Sequence, residues 1–350
     1  MAKKRVFDIV YLTNTPSFYK LNLMDEVGKR CKVLLVFYGY GAEAVNTSLE
    51  SRQWNFDYIF LNKGDCNKRS KMRVFCNIIQ NARVFEARRI LFAGWLAPEY
   101  NLFSFLSPRR KNVVVCESSI LDVSLSGLKG WIKRRIINRM CAALPSGKPH
   151  DELFQSINFK GSRYITGSVG IIHKAENCSG KPTNHVPEGK CLYVGRLTEV
   201  KNLRLLIEAF NLSGRPLTIV GKGELEQELK SIARSNISFM GFVDNERLGE
   251  IYQAHDLFIL PSSYEPWGLV VEEAIYWGLP VVVSDCVGSG PDMVEDLHTG
   301  LIFKHDSVED LNRKIDAVFA DYQSYKQAVD AVDFAERDRN QVDAYLKLLQ

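Results

Sequence analysis

The chain is predicted to be an α/β protein made of two doubly wound parallel sheets, and three observations carry that prediction. Short β-branched and aromatic runs alternate with amphipathic helical patterns in both halves, as in parallel strands joined by crossover helices. The 350 residues suffice for two domains with separate cores. Between the halves, residues 173–190 are rich in Gly, Pro, Asn and Lys, with little to bury.

Strands are expected in the first half at 6–12, 32–37, 58–61, 90–93, 113–116 and 142–144. Each is a short apolar run bounded by polar or turn residues. The second half repeats the rhythm at 191–194, 217–220, 237–240, 257–260 and 280–284, with helical patterns over 201–211, 225–233, 247–253 and 270–277. The division is a first domain over 1–172, a linker over 173–189, a second domain over 190–325 and a terminal helix over 326–350. The thin apolar stripe of that helix (Val329, Val332, Ala335, Val342, Tyr345, Leu348) needs a surface to cover. The first domain is the expected one.

Hydrophobic content of 46% and charged content of 25% suit a soluble globular protein. No apolar run approaches the ~18 residues of a membrane span, since Pro98, Glu99 and Asn101 interrupt the most apolar stretch, 90–106. Asp8 and Asn14 break any signal-peptide core, so a cytoplasmic chain is expected. The eight cysteines form no C-x-x-C pair and have no histidine at zinc spacing, which predicts reduced thiols and no metal site. The net charge of +4 conceals an asymmetry: residues 1–175 carry 28 Lys and Arg against 13 Asp and Glu, the remainder 17 against 28. Halves of opposite sign suit different partners, although a basic face can also be merely solvated.

Four loops of the second half follow expected strands, on the side where doubly wound sheets hold ligands. In the first, Gly195 and Arg196 lead to Lys201 and Asn202 at a helix start. Two cations there can neutralise a diphosphate leaving group, though alone they read as surface charges. Gly221-Lys222-Gly223 forms the second, in isolation an ordinary turn. The third runs from Glu265 through Trp267, Gly268 and Leu269 to Glu273. A helix start in it offers backbone N–H groups to an anion, and its carboxylates can accept from sugar hydroxyls. Glu272 lacks the spacing and reads as a solvated helix carboxylate. The fourth, 284–292, has glycines that admit close backbone approach.

In this order the motifs resemble the C-terminal nucleotide-sugar domain of retaining glycosyltransferases of the GT-B fold, family 4. The matching residues are Gly195-Arg196…Lys201-Asn202, Gly221-Lys222-Gly223, Glu265…Glu273-Ala274 and Gly278-Leu279-Pro280-Val281. The match covers roughly 190–305; in the first half it is mostly topological. The resemblance implies two Rossmann-like domains facing a cleft. Arg196 and Lys201 would bind the donor diphosphate, Glu265 the transferred sugar and Glu273 the ribose. Gly195, Gly221, Gly223 and the amides around Trp267, Gly268 and Leu269 would line the donor. Trp267 stands where the family often has Phe. No D-x-D occurs, so a metal-independent reaction is expected, with leaving-group charge met by Arg196, Lys201 and a helix N-terminus. Retention through a front-face, oxocarbenium-like ion pair is likewise what the family implies. No cofactor is expected beyond the UDP- or GDP-linked sugar substrate. The expected function is hexose transfer in surface polysaccharide biosynthesis of the O-antigen or capsule type.

The first half would bind the acceptor. Its 13–19 loop lacks the glycine pair many relatives carry, and Glu117 and Ser118 stand where many place a histidine. They are the candidates for acceptor or sugar contacts, against the alternative that backbone groups satisfy Glu117. His150 reads as a surface residue. Cations alternate with apolar residues over 129–139, and Arg88-Arg89, residues 109–111 and 3–5 add charge. Together they suggest peripheral contact with an anionic membrane at its inner face and a lipid-linked saccharide acceptor. Competing readings are a nucleotide-sugar 2-epimerase of the same fold and a nucleic-acid-binding module using the basic half. The loop motifs oppose the first and the acidic second half the other. A dinucleotide oxidoreductase would need G-x-G-x-x-G after the first strand, and 12–17 lacks it.

Overall fold

The computed structural model describes residues 4–40, 49, 52–62, 64, 68–121, 123, 125–172 and 185–350. Most of the 173–189 linker lies outside the described residues. The chain divides into two units, Met1–His173 with Ala335–Gln350, and Lys174–Phe334.

Strands of the first unit are β1 (Arg5–Thr13), β2 (Val33–Phe37), β3 (Asp57–Phe60), β4 (Phe85–Ala93), β5 (Asn112–Cys116), β6 (Ala142–Pro145) and β7 (Ser162–Arg163). They form a parallel sheet of order β3-β2-β1-β4-β5-β6-β7. The second unit holds β8 (Cys191–Val194), β9 (Leu217–Val220), β10 (Ile237–Gly241), β11 (Leu257–Leu260), β12 (Val281–Ser284) and β13 (Gly300–Phe303). Its sheet is also parallel, in the order β10-β9-β8-β11-β12-β13. In each sheet the strand order reverses beside the first strand, between β1 and β4 and between β8 and β11. Such a reversal leaves a crevice at the strand C-termini because the flanking loops diverge to opposite faces. The α/β fold with two doubly wound sheets is therefore as the sequence predicts. Two strands were not legible. β7 is a two-residue polar edge strand, and β13 begins at a glycine, a strand breaker in sequence terms. Gly300 is needed there: a Cβ would lie 1.7 Å from the Val281 carbonyl.

Each face of the first sheet has its own apolar layer. Helices Lys71–Ala82, Pro98–Leu106, Gly127–Ile137 and Lys148–Ser156 bury Val74, Ile78, Phe103, Ile136 and Phe154 on one face. On the other, helix Phe18–Gly28 contributes Leu21 and Met24. Beside them the terminal segment buries Val342, Tyr345 and Leu348, from helix Phe334–Leu346 and the short turn after it. Arg88 Nη2 donates to the Leu349 carbonyl at 2.7 Å and Arg89 Nε to that of Leu348 at 2.6 Å. Two cations thus satisfy carbonyls at the end of the terminal helix, where its dipole is negative. Both were counted among membrane-facing charges from sequence; their guanidinium groups instead fasten the terminal segment. Arg5 is likewise engaged, 2.6 Å from Asp57.

Because Leu348 is 2% exposed in this layer, Leu348→Ala is expected to destabilise the first unit by about 2–4 kcal/mol. Chemical denaturation should show an earlier midpoint for the first transition; an unchanged midpoint would contradict this packing.

Candidate functional site

The second-unit site begins with a clasp of backbone on backbone. The loop after β8 and the loop after β9 run together: Gly195 N–H donates to the Val220 carbonyl and Leu197 N–H to that of Lys222, both at 3.0 Å. Gly221, at φ +137°, could not carry a side chain, since a Cβ would sit 1.9 Å from the Gly195 carbonyl oxygen. At Gly223 the clash would be with the Leu197 carbonyl, at 2.2 Å. The Gly-x-Gly is thus demanded by loop-to-loop contact.

A second clasp joins the loops after β11 and β12. Gly288 N–H donates to the Glu265 carbonyl at 2.9 Å and Ser289 N–H to that of Trp267 at 3.0 Å. Gly268, at φ +91°, turns the chain into helix Leu269–Tyr276, whose N-terminus has no side-chain cap. Ser263 N–H reaches the Val200 carbonyl at 2.9 Å, drawing the β8 and β11 loops together across the reversal. The result is an ion pair between Lys201 and Glu265, each side chain 14% exposed. Ser262 Oγ also donates to Glu265 Oε2 at 3.3 Å. Asn202, left-handed at φ 54°, donates from Nδ2 to the His305 carbonyl at 2.7 Å. Arg196 is exposed on the same loop, its carbonyl accepting the Tyr193 hydroxyl at 2.9 Å.

Of the carboxylates at 272 and 273, the first lacks the surroundings expected of it. Glu272 is 4% exposed and accepts the Trp267 indole N–H at 2.5 Å. It is no solvated helix carboxylate; it pins the tryptophan that shapes the loop. Trp267 is 3% exposed, so its ring is withdrawn from the surface of the loop. Glu273 is half-buried and accepts the Tyr252 hydroxyl at 3.2 Å. Burial pushes its carboxyl up to about 7, with Glu272 adding to the rise and the Tyr252 bond opposing it. At the ends of β12 and β13, Asp285, Cys286 and His305 gather within 4.8 Å. His305 donates its backbone N–H to Asp285 at 3.1 Å. Burial first and then Asp285 push the Cys286 thiol up to about 11, so it stays protonated at neutral pH.

The first-unit candidates gather at the reversal of the other sheet. Glu117 follows β5 and pairs with Lys20 at 2.9 Å, their side chains 36% and 9% exposed. Lys20 comes from the first turn of helix Phe18–Gly28, and nothing in the sequence marked it. Asn14, Gly94, Trp95, Leu96 and Ser118 line a small cavity with this pair, about 70 Å³ in volume. The backbone-satisfied alternative for Glu117 gives way to a lysine partner. His150 is fully buried, against the surface placement expected, because the first turn of its helix faces the core.

Residues 179–333 match the family model described as Glycosyl transferases group 1, nearly the span of the second unit. The O-antigen chain mannosyltransferase B of Escherichia coli is 31% identical over 185 residues, 47% of each chain. Among solved structures, the lipopolysaccharide outer core galactosyltransferase WaaB aligns with TM-score 0.72 at 14% identity, covering 97% of this chain and 99% of that one. Anabaena HepE in complex with UDP-glucose aligns with TM-score 0.67 at 17% identity, covering 97% and 99%. The chain spans between about a quarter and just under two thirds of the first three curated relatives it matches. The second unit is thus a glycosyl transferases group 1 domain, and the whole chain shares the GT-B fold of these structures.

Glu273 yields a pH prediction. Its folded pKa lies above the unfolded value, so the folded state holds the extra proton between about 4.5 and about 7. Stability from this group is present below that window and lost as pH rises through it. Glu273→Gln should flatten the fall in melting temperature from pH 5 to pH 8; an equal fall in both proteins would refute the assignment.

Proposed function

We propose that this chain is a retaining, metal-independent glycosyltransferase. It moves a hexose from a UDP- or GDP-linked donor to a glycan acceptor, lipid-linked, in surface polysaccharide assembly. The observation that carries the reading is the Lys201–Glu265 pair, held at the sheet reversal beside an uncapped helix start.

Arg196 and Lys201 meet the donor diphosphate and neutralise the charge that grows as the glycosidic bond breaks. Glu265 holds Lys201 in place and accepts from hydroxyls of the departing sugar. Glu273 accepts from the ribose, and the amides of Gly268 and Leu269 face the phosphates. Leaving-group charge is carried by these cations and the helix start, so no metal is required. The Lys20–Glu117 pair in the first unit receives an acceptor or sugar hydroxyl. The mannosyltransferase and galactosyltransferase names among the relatives support the reaction class and the polysaccharide setting. The match of HepE, in complex with UDP-glucose, supports a nucleotide-sugar donor.

Thermal-shift titration with UDP, GDP and ADP and their sugars tests the donor site. One nucleoside diphosphate should raise the melting temperature, equally with and without EDTA, and Arg196→Ala should abolish the shift. A shift from none of them would sink the assignment. With donor and acceptor in hand, Glu265→Ala should lower turnover roughly 10²-fold or more; near-normal turnover would remove Glu265 from the sugar site.

A further inference from the structure

Apolar side chains left in water are concentrated in one region of the first unit. Of the twenty-one large apolar residues exposed among those described, nine fall between Leu96 and Ile132. Helix Pro98–Leu106 turns Tyr100 and Phe103 inward and leaves Leu102, Phe105 and Leu106 outside, at 55%, 49% and 64% exposure. In helix Gly127–Ile137, Ile136 and Ile137 are buried, while Leu128, Trp131 and Ile132 stand 73%, 55% and 44% exposed. Both outer sets follow helical spacing, so each helix is apolar on two sides, which a helix in water has no reason to be.

The two helices cover the same face of the first sheet and meet at Arg139. Its Nε donates to the Ser104 carbonyl at 3.1 Å, and its guanidinium lies 5.6 Å from the Phe105 ring. On these helices and in the turn over 109–111 the exposed charge is of one sign, while Glu86 of β4, which lines a pocket with Leu106, pairs with Lys111 at 4.0 Å. Lys129, Arg134, Arg135, Arg109 and Arg110 are exposed, and Arg135 lies 5.0 Å from the Trp131 ring. Helix Lys71–Ala82, alongside, adds exposed Lys71, Met72 and Arg73 and holds no acid. Across these three helices the single carboxylate is Glu99, 1% exposed and paired with Arg69 at 2.5 Å. On the next helix Glu152 is exposed, while Asp151 is buried and pairs with Arg163 at 3.3 Å.

We infer that helices Pro98–Leu106 and Gly127–Ile137 together form a docking face for an anionic lipid surface. Leucine, phenylalanine and tryptophan side chains enter the headgroup–acyl boundary while the flanking lysines and arginines meet lipid phosphates. Charge complementarity selects this occupant. The same face of a second copy, in the two-fold pairing commonest for dimers, would set cations against cations with no exposed acid on these helices to answer them. A nucleic acid would satisfy the cations and leave Leu102, Leu106 and Leu128 in water. The face also continues to the cavity of the Lys20–Glu117 pair. Leu96, 84% exposed, lines that cavity, and Ile120 and Leu121 stand exposed just beyond Ser118. A saccharide on a lipid carrier would therefore reach the cavity from the docked side. That last step rests on the proposed acceptor role of the pair; the docking face does not.

Flotation of the full chain with phosphatidylcholine vesicles, with and without phosphatidylglycerol, tests the inference. Binding should require the anionic lipid, weaken with salt and shift tryptophan emission to the blue. Lys129→Glu with Arg135→Glu should lower the partition coefficient at least roughly tenfold. Leu128→Ser with Ile132→Ser should do the same at unchanged circular dichroism, and Trp131→Phe should remove the emission shift. Nucleoside diphosphate binding should be intact in all three, which separates failure of the docking face from failure of the donor site. No flotation, equal flotation on neutral vesicles, or a concentration-dependent dimer in place of vesicle binding would each overturn it.

Discussion

The Lys201–Glu265 ion pair is the contact on which the second unit's site depends. Two charges withdrawn this far from water are tolerated only when each neutralises the other and hydrogen bonds meet what remains. Ser262 supplies one such bond to the carboxylate, and the backbone link from Ser263 to Val200 sets the separation of the two loops. Neither side chain is placed by its own strand alone. The β8 loop leans on the glycines of the β9 loop, and the β11 loop on the amides of the β12 loop, so four connections act as one support. A methyl group at Gly221 or Gly223 would force these loops apart. The pair would be disturbed without either partner being touched.

The first unit repeats the arrangement with other residues. Lys20 and Glu117 meet at its own reversal of strand order, between the helix after β1 and the end of β5. Phenols surround them. Burial pushes Tyr11 up to about 12, and Tyr345 is raised well above its ordinary value, again chiefly by burial. Burial opposes the Lys20 charge, but Glu117 and the neighbouring phenols outweigh it and hold its pKa well above the usual value. Tyr345 comes from the returning terminal helix, so residues at the end of the chain help to enclose a pair formed near its beginning.

Basic residues in this unit serve two ends. Arg88, Arg89 and Arg139 donate to carbonyls of the terminal segment and of helix Pro98–Leu106. Lys129 and Arg135 of helix Gly127–Ile137 stay at the surface beside exposed Trp131. Counting charge along the chain does not separate these uses, because a guanidinium's task is set by which carbonyl or solvent lies in front of it. The same limit explains Glu272 and His150. Both are polar residues at the starts of helices, and the face a helix buries depends on how it lies on its sheet.

Residue order alone determined the α/β class, most strand positions and the four loops that carry the candidate site. Strand runs and turn glycines are local properties, readable within a window of a few residues. Arg196, Lys201, Glu265 and Glu273 were visible for the same reason, as spacings within loops that follow strands. Tertiary structure alone decided that Lys201 reaches Glu265 across 64 positions, that Lys20 joins Glu117, and that Glu272 holds Trp267. It also decided that β7 and β13 extend the sheets and that the terminal helix covers the first unit. These are contacts between distant segments, set by strand order and by close approach of backbones, and neither is written in the local pattern of residues.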